Sequence, residues 1–511
     1  MNNYGEEVGL TDVPGERPRT ASAATTHERR PECTFRDMLL YAQGDCAISL
    51  VMNGIFGFAM LFYTNALGLS PGLAGLAMSL SVLWEAVSEP LMGHISDNTR
   101  SRWGRRHLYM LPGGLLMAVC SFLIWDVPRP LLGHEMAIFW YLMVMNLVLR
   151  SGLTLFFIPY VALGFEMTQD IQGRSRLQAI RQIMNMAANF FGPALAWALF
   201  FHRHGSTPGT AIPANYLHMG AVFAAATVIF VLVCIIFTYR WHQDTRNLVR
   251  ESAAGGMRSF YRDISGIVRD LDARWVFIFV FAICTGMVMV SSLQIYTYVN
   301  FMNFSADQKG IAQGGTMIAM ALGALVSMPL ARRLDKKGAV VVGGLVSILS
   351  NLLLATFFLT GLVPMHAVWN IAGVSVPLAL ILFVLGQAGY WFGNGIMLPL
   401  SVAMIADVSE VHQLKTGIAK DGGYSSVYSL AMRMAIALSM FVAGWCLVFI
   451  GYKTALHGPA PVQSSSTIWR LGALTFLSGS LMAAIALVAI QFYRINRGML
   501  QAMRDAVPAV T

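Results

Sequence analysis

The chain has 511 residues, of which 56% are hydrophobic and 12% charged, against about 25% charged in an ordinary soluble domain. The formal net charge is +9, but the arginines lie in loops between apolar runs, which excludes the continuous basic face of a nucleic-acid binder. The six cysteines are scattered, so neither a zinc site nor a disulfide framework is expected.

In chain order, residues 1–36 are polar, carry Pro14, Pro18 and Pro31 and contain no apolar core. They read as a disordered cytoplasmic tail, not a signal peptide. Twelve apolar runs follow, near 37–65, 71–95, 106–127, 136–165, 177–201, 215–239, 274–300, 309–331, 338–361, 373–406, 422–450 and 468–493. Each is too long and too apolar for a soluble core helix. The 47 glycines and 31 methionines fit helices packed closely in lipid, where small residues let backbones approach. The longest connection, 241–273, separates a six-helix bundle at 37–240 from a second at 274–494, and 495–511 forms a C-terminal tail. The fold class is therefore an all-α membrane protein with 12 transmembrane helices in two six-helix bundles.

With the N-terminus in the cytoplasm, the tails and even-numbered loops carry 27 Lys and Arg. The opposite side carries Arg129, Arg203, Lys309, Lys453 and Arg470. This asymmetry predicts that both termini are cytoplasmic and places the chain in the inner membrane as a multi-pass protein. The three remaining arginines, Arg150, Arg181 and Arg433, lie inside spans. A weak internal echo supports two related halves. Pro159 precedes Glu166 in the fourth span and Pro399 precedes Asp407 in the tenth, and each acid is followed by a polar loop with a glycine, Gly173 or Gly417.

Glu85 and Glu89 stand four residues apart, on one face of the second span. A charged group at mid-membrane is expensive and marks a functional site by default. Two adjacent carboxylates cannot both ionise without a neutralising cation, so the pair is a candidate proton or metal-ion switch. Pro90 frees the carbonyl of Ala86 in the same turn, Ser88 adds a hydroxyl, and oxygen ligands suit a hard cation. The plain alternative is that the acids pair with the intramembrane arginines, since Asp45, Glu85 and Glu89 can balance Arg150, Arg181 and Arg433. Arg150, Thr154 and Phe157 share one helical face. The spacing of Arg150 and Phe157, about 10 Å at 1.5 Å per residue, suits a glycoside of two or more units, with a bias towards a carboxylate if Arg150 faces the substrate. If Arg150 only neutralises Glu85 or Glu89, the substrate is neutral. Gln294, Tyr298, Gln387, Tyr390, Trp391 and Asn394 are polar or amphipathic groups in apolar spans. They are candidates for sugar contacts or for plain interhelical hydrogen bonds.

The run from Trp84 to Arg106 reads Trp-Glu-Ala-Val-Ser-Glu-Pro-Leu-Met-Gly-His-Ile-Ser-Asp-Asn-Thr-Arg-Ser-Arg-Trp-Gly-Arg-Arg. Its second half, Gly93-x3-Asp97-x4-Arg102-x-Gly104-Arg105-Arg106, resembles the loop 2–3 signature of the major facilitator superfamily. The arginines suit a helix C-terminus. Asp97 does not and needs a partner, which makes it a candidate for a contact between the halves that breaks during gating. The whole run looks like the glycoside–pentoside–hexuronide:cation symporter family, the melibiose permease type. Tyr41-Ala-Gln-Gly-Asp45, Phe62 to Ser70, Ile405-Ala-Asp-Val-Ser-Glu410 with Lys415-Thr-Gly417, and Tyr424 to Arg433 resemble further segments of that family, so the likeness covers nearly all of 37–494.

The resemblance implies a major facilitator fold, with Glu85, Ser88, Glu89 and Thr154 at the coupling-cation site. It implies Asp45 and Arg181 at the sugar and Arg433 in place of a helix-11 Lys. Gly93, Asp97, Arg102, Arg105, Arg106 and Asp407 fall on gating segments. The departures are Glu for both acids, Ser88 for an Asn, Phe157 for a sugar-binding Asp and Val161 for a stacking Trp. They favour a proton over sodium and argue against a simple galactoside. No phosphate-binding loop, His-Glu-x-x-His or Gly-x-Ser-x-Gly is present, so neither ATP-driven transport nor an enzyme is expected. The expected function is cation-coupled symport of a glycoside, oligosaccharide or uronide by a monomer in contact with membrane lipid. It needs no cofactor beyond H+ or Na+ and no nucleic-acid partner. A lysolipid flippase on the same fold and a transport-dead sensor are the alternatives.

Overall fold

In lipid every backbone polar group must bond within its own segment, so the apolar runs become helices. The structure is a computed structural model and describes residues 33–168, 170–201, 209–241, 266–364, 367–371, 374–417, 420–454 and 462–506. Most of the predicted N-terminal tail and central loop, and the end of the C-terminal tail, lie outside the described residues.

The helices are α1 (Phe35–Ala59), α2 (Pro71–Asn98), α3 (His107–Leu123), α4 (Glu135–Met167), α5 (Ile171–Phe200) and α6 (Pro213–Thr238) in the first half. The second half contains α7 (Leu271–Tyr296), α8 (306–334), α9 (336–359), α10 (Leu378–Thr416), α11 (Asp421–Phe449) and α12 (Ser465–Gln491). A short amphipathic helix, α13 (Arg497–Ala506), follows. The helix running from Ala306 to Leu359 has 54 residues, about 80 Å at 1.5 Å per residue, far more than one crossing needs. It breaks at Asp335, whose φ of 62° is the left-handed region. The Asp335 carboxylate then accepts from Lys336 N at 2.7 Å and caps α9. Among the described residues this gives twelve apolar helices, as the sequence predicts.

The tenth span departs most from the sequence reading, and α5 begins at Ile171 where 177 was expected. The tenth span was expected over 373–406. Instead, Val368–Ile371 and Val374–Pro377 pair as an antiparallel hairpin, and α10 runs on to Thr416, where Gly417 ends it at φ 72°. The β-branched residues before Leu378 read as apolar length, and the polar turn from Asp407 to Thr416 reads as loop, though it is the last stretch of a helix that outruns the bilayer. Helix α1 also continues into π turns at Ile55–Ala59 and Phe62–Ala66, matched by Thr297–Phe301 after α7.

The two halves meet at the end that carries the α1–α2 connection. One apolar core there draws on both halves, joining Phe62, Tyr63 and Trp197 with Leu293, Tyr296, Met440 and Leu447. A second core belongs to the second half alone. Gly75 of α2 lies against Gly444 of α11 so closely that a Cβ on either would come within 3.1 Å of the other's Cα. The Thr64 and Tyr296 hydroxyls bond at 2.7 Å, and Trp197 Nε1 donates to Gln313 Oε1 at 2.9 Å. Tyr452 donates to Asn65 Oδ1 at 2.9 Å and accepts from Asn300 at 3.1 Å. Burial pushes its hydroxyl up to about 12, so it stays a donor.

Candidate functional site

Helix α2 places Glu85 and Glu89 one turn apart, and α4 and α11 bring an arginine to them from either side. Glu85 is fully buried. Its Oε1 accepts from Arg150 Nη1 at 2.8 Å and its Oε2 from Arg433 Nη1 at 2.6 Å. The second Arg433 nitrogen, Nη2, binds Glu89 Oε1 at 2.5 Å. A guanidinium is planar with donors in a fixed fork, so one Arg433 can hold two carboxylates at once where a lysine could not hold that geometry. Arg150 is itself buried and rests on the Phe56 ring, 5.1 Å from its centroid. Two carboxyl groups and two guanidinium groups thus meet between α2, α4 and α11. The hydroxyls of Ser88 and Thr154 lie 3.1 Å apart and bond each other. All four residues expected at the cation site therefore cluster, with arginines on the acids and the hydroxyls paired.

A second charged group lies between α1 and α5. Arg181 grips Asp45 bidentately, Nε to Oδ2 at 2.7 Å and Nη2 to Oδ1 at 3.0 Å. Tyr160 donates to the same Oδ2 at 2.7 Å. The Tyr160 ring stacks on Tyr41, centroids 4.4 Å apart, and the Arg181 guanidinium sits 4.9 Å from the Tyr160 centroid. The three intramembrane arginines and three acids are thus all paired. Sequence inspection missed Tyr41 and Tyr160, because a tyrosine in an apolar run carries no signal of which carboxylate it will meet. It also missed Ser49, Asn53, Asn185 and Asn189. The Asn185 Nδ2 donates to Ser49 Oγ at 2.7 Å, and Asn53 Nδ2 to Asn189 Oδ1 at 2.8 Å.

The remaining candidates lie elsewhere. Phe157 is half-buried against the first core. Gln294 donates to Tyr298, and both are buried in the second half. Asn394 donates to the Tyr390 carbonyl at 2.9 Å. Gln387 is fully buried with neither amide atom bonded among the described residues, and Trp391 is buried beside Tyr390. No hydrogen bond among the described residues links this group to Asp45 or to the acid pair.

At the end opposite the joined one, the following ion pairs lie within one half or the other. Arg106 binds Asp97 at 2.8 Å and Glu166 at 3.0 Å, and Arg105 binds Glu166 at 2.6 Å. Arg102 lies over Trp103. Gly104 has φ 79°, a left-handed conformation that favours glycine, while Gly93 leaves room for a Cβ at ordinary contact distance from Ile158. In the second half Lys336 binds Asp407 at 2.5 Å. Glu166 and Asp407, the two acids of the internal echo, thus hold the basic residues of corresponding loops.

A family model described as MFS/sugar transport protein matches residues 40–497. Among curated proteins, the isoprimeverose transporter of Lactiplantibacillus pentosus is 23% identical over 94% of this chain and 92% of its own. The glucuronide carrier protein homolog of Escherichia coli (strain K12) is 24% identical over 90% and 93%. The inner membrane symporter YicJ of the same organism is 23% identical over 92% and 94%. Among solved structures, nucleoside transporter NupG superposes with a TM-score of 0.60 at 12% identity, covering 90% of this chain and 100% of that one. A D-xylose-proton symporter superposes at 0.57 with 14% identity, covering 87% and 96%.

Proposed function

The chain belongs to the MFS/sugar transport protein family, and from that footing we propose that it is a proton-coupled symporter of a glycoside or oligosaccharide, working by alternating access in the inner membrane. The observation that carries the coupling is the Arg433 bridge, which ties Glu85 and Glu89 of one half to α11 of the other. A proton on Glu89 removes the charge that Arg433 holds there and leaves the ionic hold of Arg433 on α2 to Glu85. The protonation state and the relative position of the halves are thereby linked. A proton fits this arrangement better than sodium. A metal ion at the same carboxylates would stand beside two guanidinium groups, and the two nearby hydroxyls are already paired with each other.

The substrate reading draws on the relatives named as an isoprimeverose transporter and a glucuronide carrier homolog, and on the Asp45–Arg181–Tyr160 group. That group sets a partly exposed arginine on a buried carboxylate, with the two stacked tyrosines fixing it from behind. Because each intramembrane arginine already has a carboxylate, no spare cation awaits an acidic sugar, which favours a neutral glycoside over a uronide. Arg150 then serves Glu85 and not the substrate. With the basic loops cytoplasmic, the conformation joined at the α1–α2 end is the inward-facing one.

The test is Glu89→Gln in proteoliposomes with an imposed pH gradient. Uphill accumulation should fall to the level of equilibration while counterflow exchange persists. Retained accumulation against a gradient would falsify the coupling assignment.

A further inference from the structure

Three polar residues of α1, Asp45, Ser49 and Asn53, recur every fourth position, and so do Arg181, Asn185 and Asn189 of α5. The structure pairs them in order, Asp45 with Arg181, Ser49 with Asn185 and Asn53 with Asn189. Every pair is separated by the same 136 residues. A constant offset means two parallel helices in register, with rungs about 6 Å apart along the axis. The amides also bond along α5. Asn189 Nδ2 donates to Asn185 Oδ1 at 2.8 Å, so the donors run in one direction from Asn53 through Asn189 and Asn185 to Ser49.

A ladder of this kind could simply hold α1 against α5, but two features point to a ligand. A row at every fourth residue drifts about 40° around a helix per step. The ladder therefore turns as it climbs. Asp45 and Ser49 are buried on α1, whereas Asn53, Arg181, Asn185 and Asn189 are only partly buried. Asn185 and Asn189 then line a cavity of about 330 Å³ between α5 and α8, together with Gln182, Phe190 and Met317. That volume is at the lower end of small-molecule sites, roughly 300–1,000 Å³. The second feature is capacity. Each of these amides has two donor hydrogens and a carbonyl oxygen; Asn53 uses both hydrogens, on Asn189 Oδ1 and on the Ser49 carbonyl at 2.8 Å, while Asn185 and Asn189 each donate once among the described residues. Among the described residues nothing donates to Asn53 Oδ1. Planar amides with spare donors and acceptors beside a phenyl ring match vicinal hydroxyls and the apolar face of a pyranose.

We propose that the Ser49–Asn185 and Asn53–Asn189 rungs form a second sugar subsite beyond the Asp45–Arg181 rung, so that the chain selects glycosides of two or more units. This inference rests on the carbohydrate reading given above. The ladder spans about 12 Å from Asp45 to Asn53, eight residues at 1.5 Å each, so the first unit sits at Arg181 and the second at Asn189. Length selectivity thus comes from α1 and α5, not from Arg150 and Phe157.

The experiment is counterflow in proteoliposomes with labelled disaccharides (isoprimeverose, melibiose and cellobiose) and with the methyl glycosides of their non-reducing sugars. In Asn189→Ala the KM for a transported disaccharide should rise at least tenfold relative to that for its methyl glycoside. Asn53→Ser, which replaces the amide with a shorter hydroxyl, should move the ratio in the same direction by less. Thermal unfolding of the purified variants separates loss of protein from loss of affinity. An equal change for both substrate lengths in folded variants, or no change, overturns the subsite and leaves the ladder as a scaffold. A parent protein that exchanges none of these sugars overturns the carbohydrate reading itself, and the subsite with it.

Discussion

The α2–α3 and α8–α9 connections are the same device built with different chemistry. In the first half, two arginines converge on Glu166 and one of them also holds Asp97. In the second half a single lysine holds Asp407. The stitching there is completed from outside the pair, by Arg497 on the carbonyls of Ala331 and Arg332 and by Arg504 on Glu410. The spans differ in the same sense. The first half carries five of the six intramembrane charges that pair at the site, and the second contributes Arg433 alone. On the proposed reading, the first half holds the groups that bind, and the second supplies one lever that senses their charge.

Removing the lever should have the largest effect. Arg433→Gln leaves Glu85 and Glu89 with Arg150 as their only cation, and breaking a buried pair costs about 3–5 kcal/mol. Uphill uptake in membrane vesicles should fall at least a hundredfold, with a lower unfolding temperature. Near-parental uptake would mean that the second half contributes nothing to coupling.

A smaller effect separates the two loops. Glu166→Gln removes the partner of two arginines and Asp407→Asn that of one lysine. Cysteine accessibility at the loop ends should therefore change more for Glu166→Gln, by about tenfold in the ratio of the two conformations against about threefold, as expected for a difference near 1 kcal/mol. Equal shifts would show that the halves are energetically equivalent.

The smallest effect is expected at the outer stitch. Arg504→Ala breaks a solvent-exposed bidentate pair with Glu410, and exposed pairs contribute little. Initial uptake should change by less than about twofold. A larger loss would promote α13 from a brace to a working part of the second half.

The spans and the α2–α3 loop were legible in the sequence because both depend on local pattern. Twenty apolar residues must become a helix in lipid, and the glycine at φ 79° and the arginines at a helix end have fixed meanings wherever they occur. The balance of three acids by three arginines was legible as an inventory, but the partners were not. Arg433 lies 344 residues from Glu89, and nothing local says that α11 crosses α2. The amide ladder was invisible for a related reason. A single Asn in an apolar run reads as an interhelical bond, and the period of four in α1 acquires meaning only beside the same period in α5. The early end assigned to the tenth span came from reading polarity as a loop, although a helix that leaves the bilayer can stay helical in water.

The seam between Gly75 and Gly444 bears on the speed of the cycle. Most interfaces that open and close must free and re-freeze side chains, at up to about 2 kcal/mol for each long one. Here main chain meets main chain, and a hydrogen stands where a rotamer would. Such a joint resembles two smooth plates more than two gears. At this point of the seam the halves can part and reseat without a rotamer search, whereas the Thr64–Tyr296, Asn65–Tyr452 and Trp197–Gln313 bonds at the same end must each be remade.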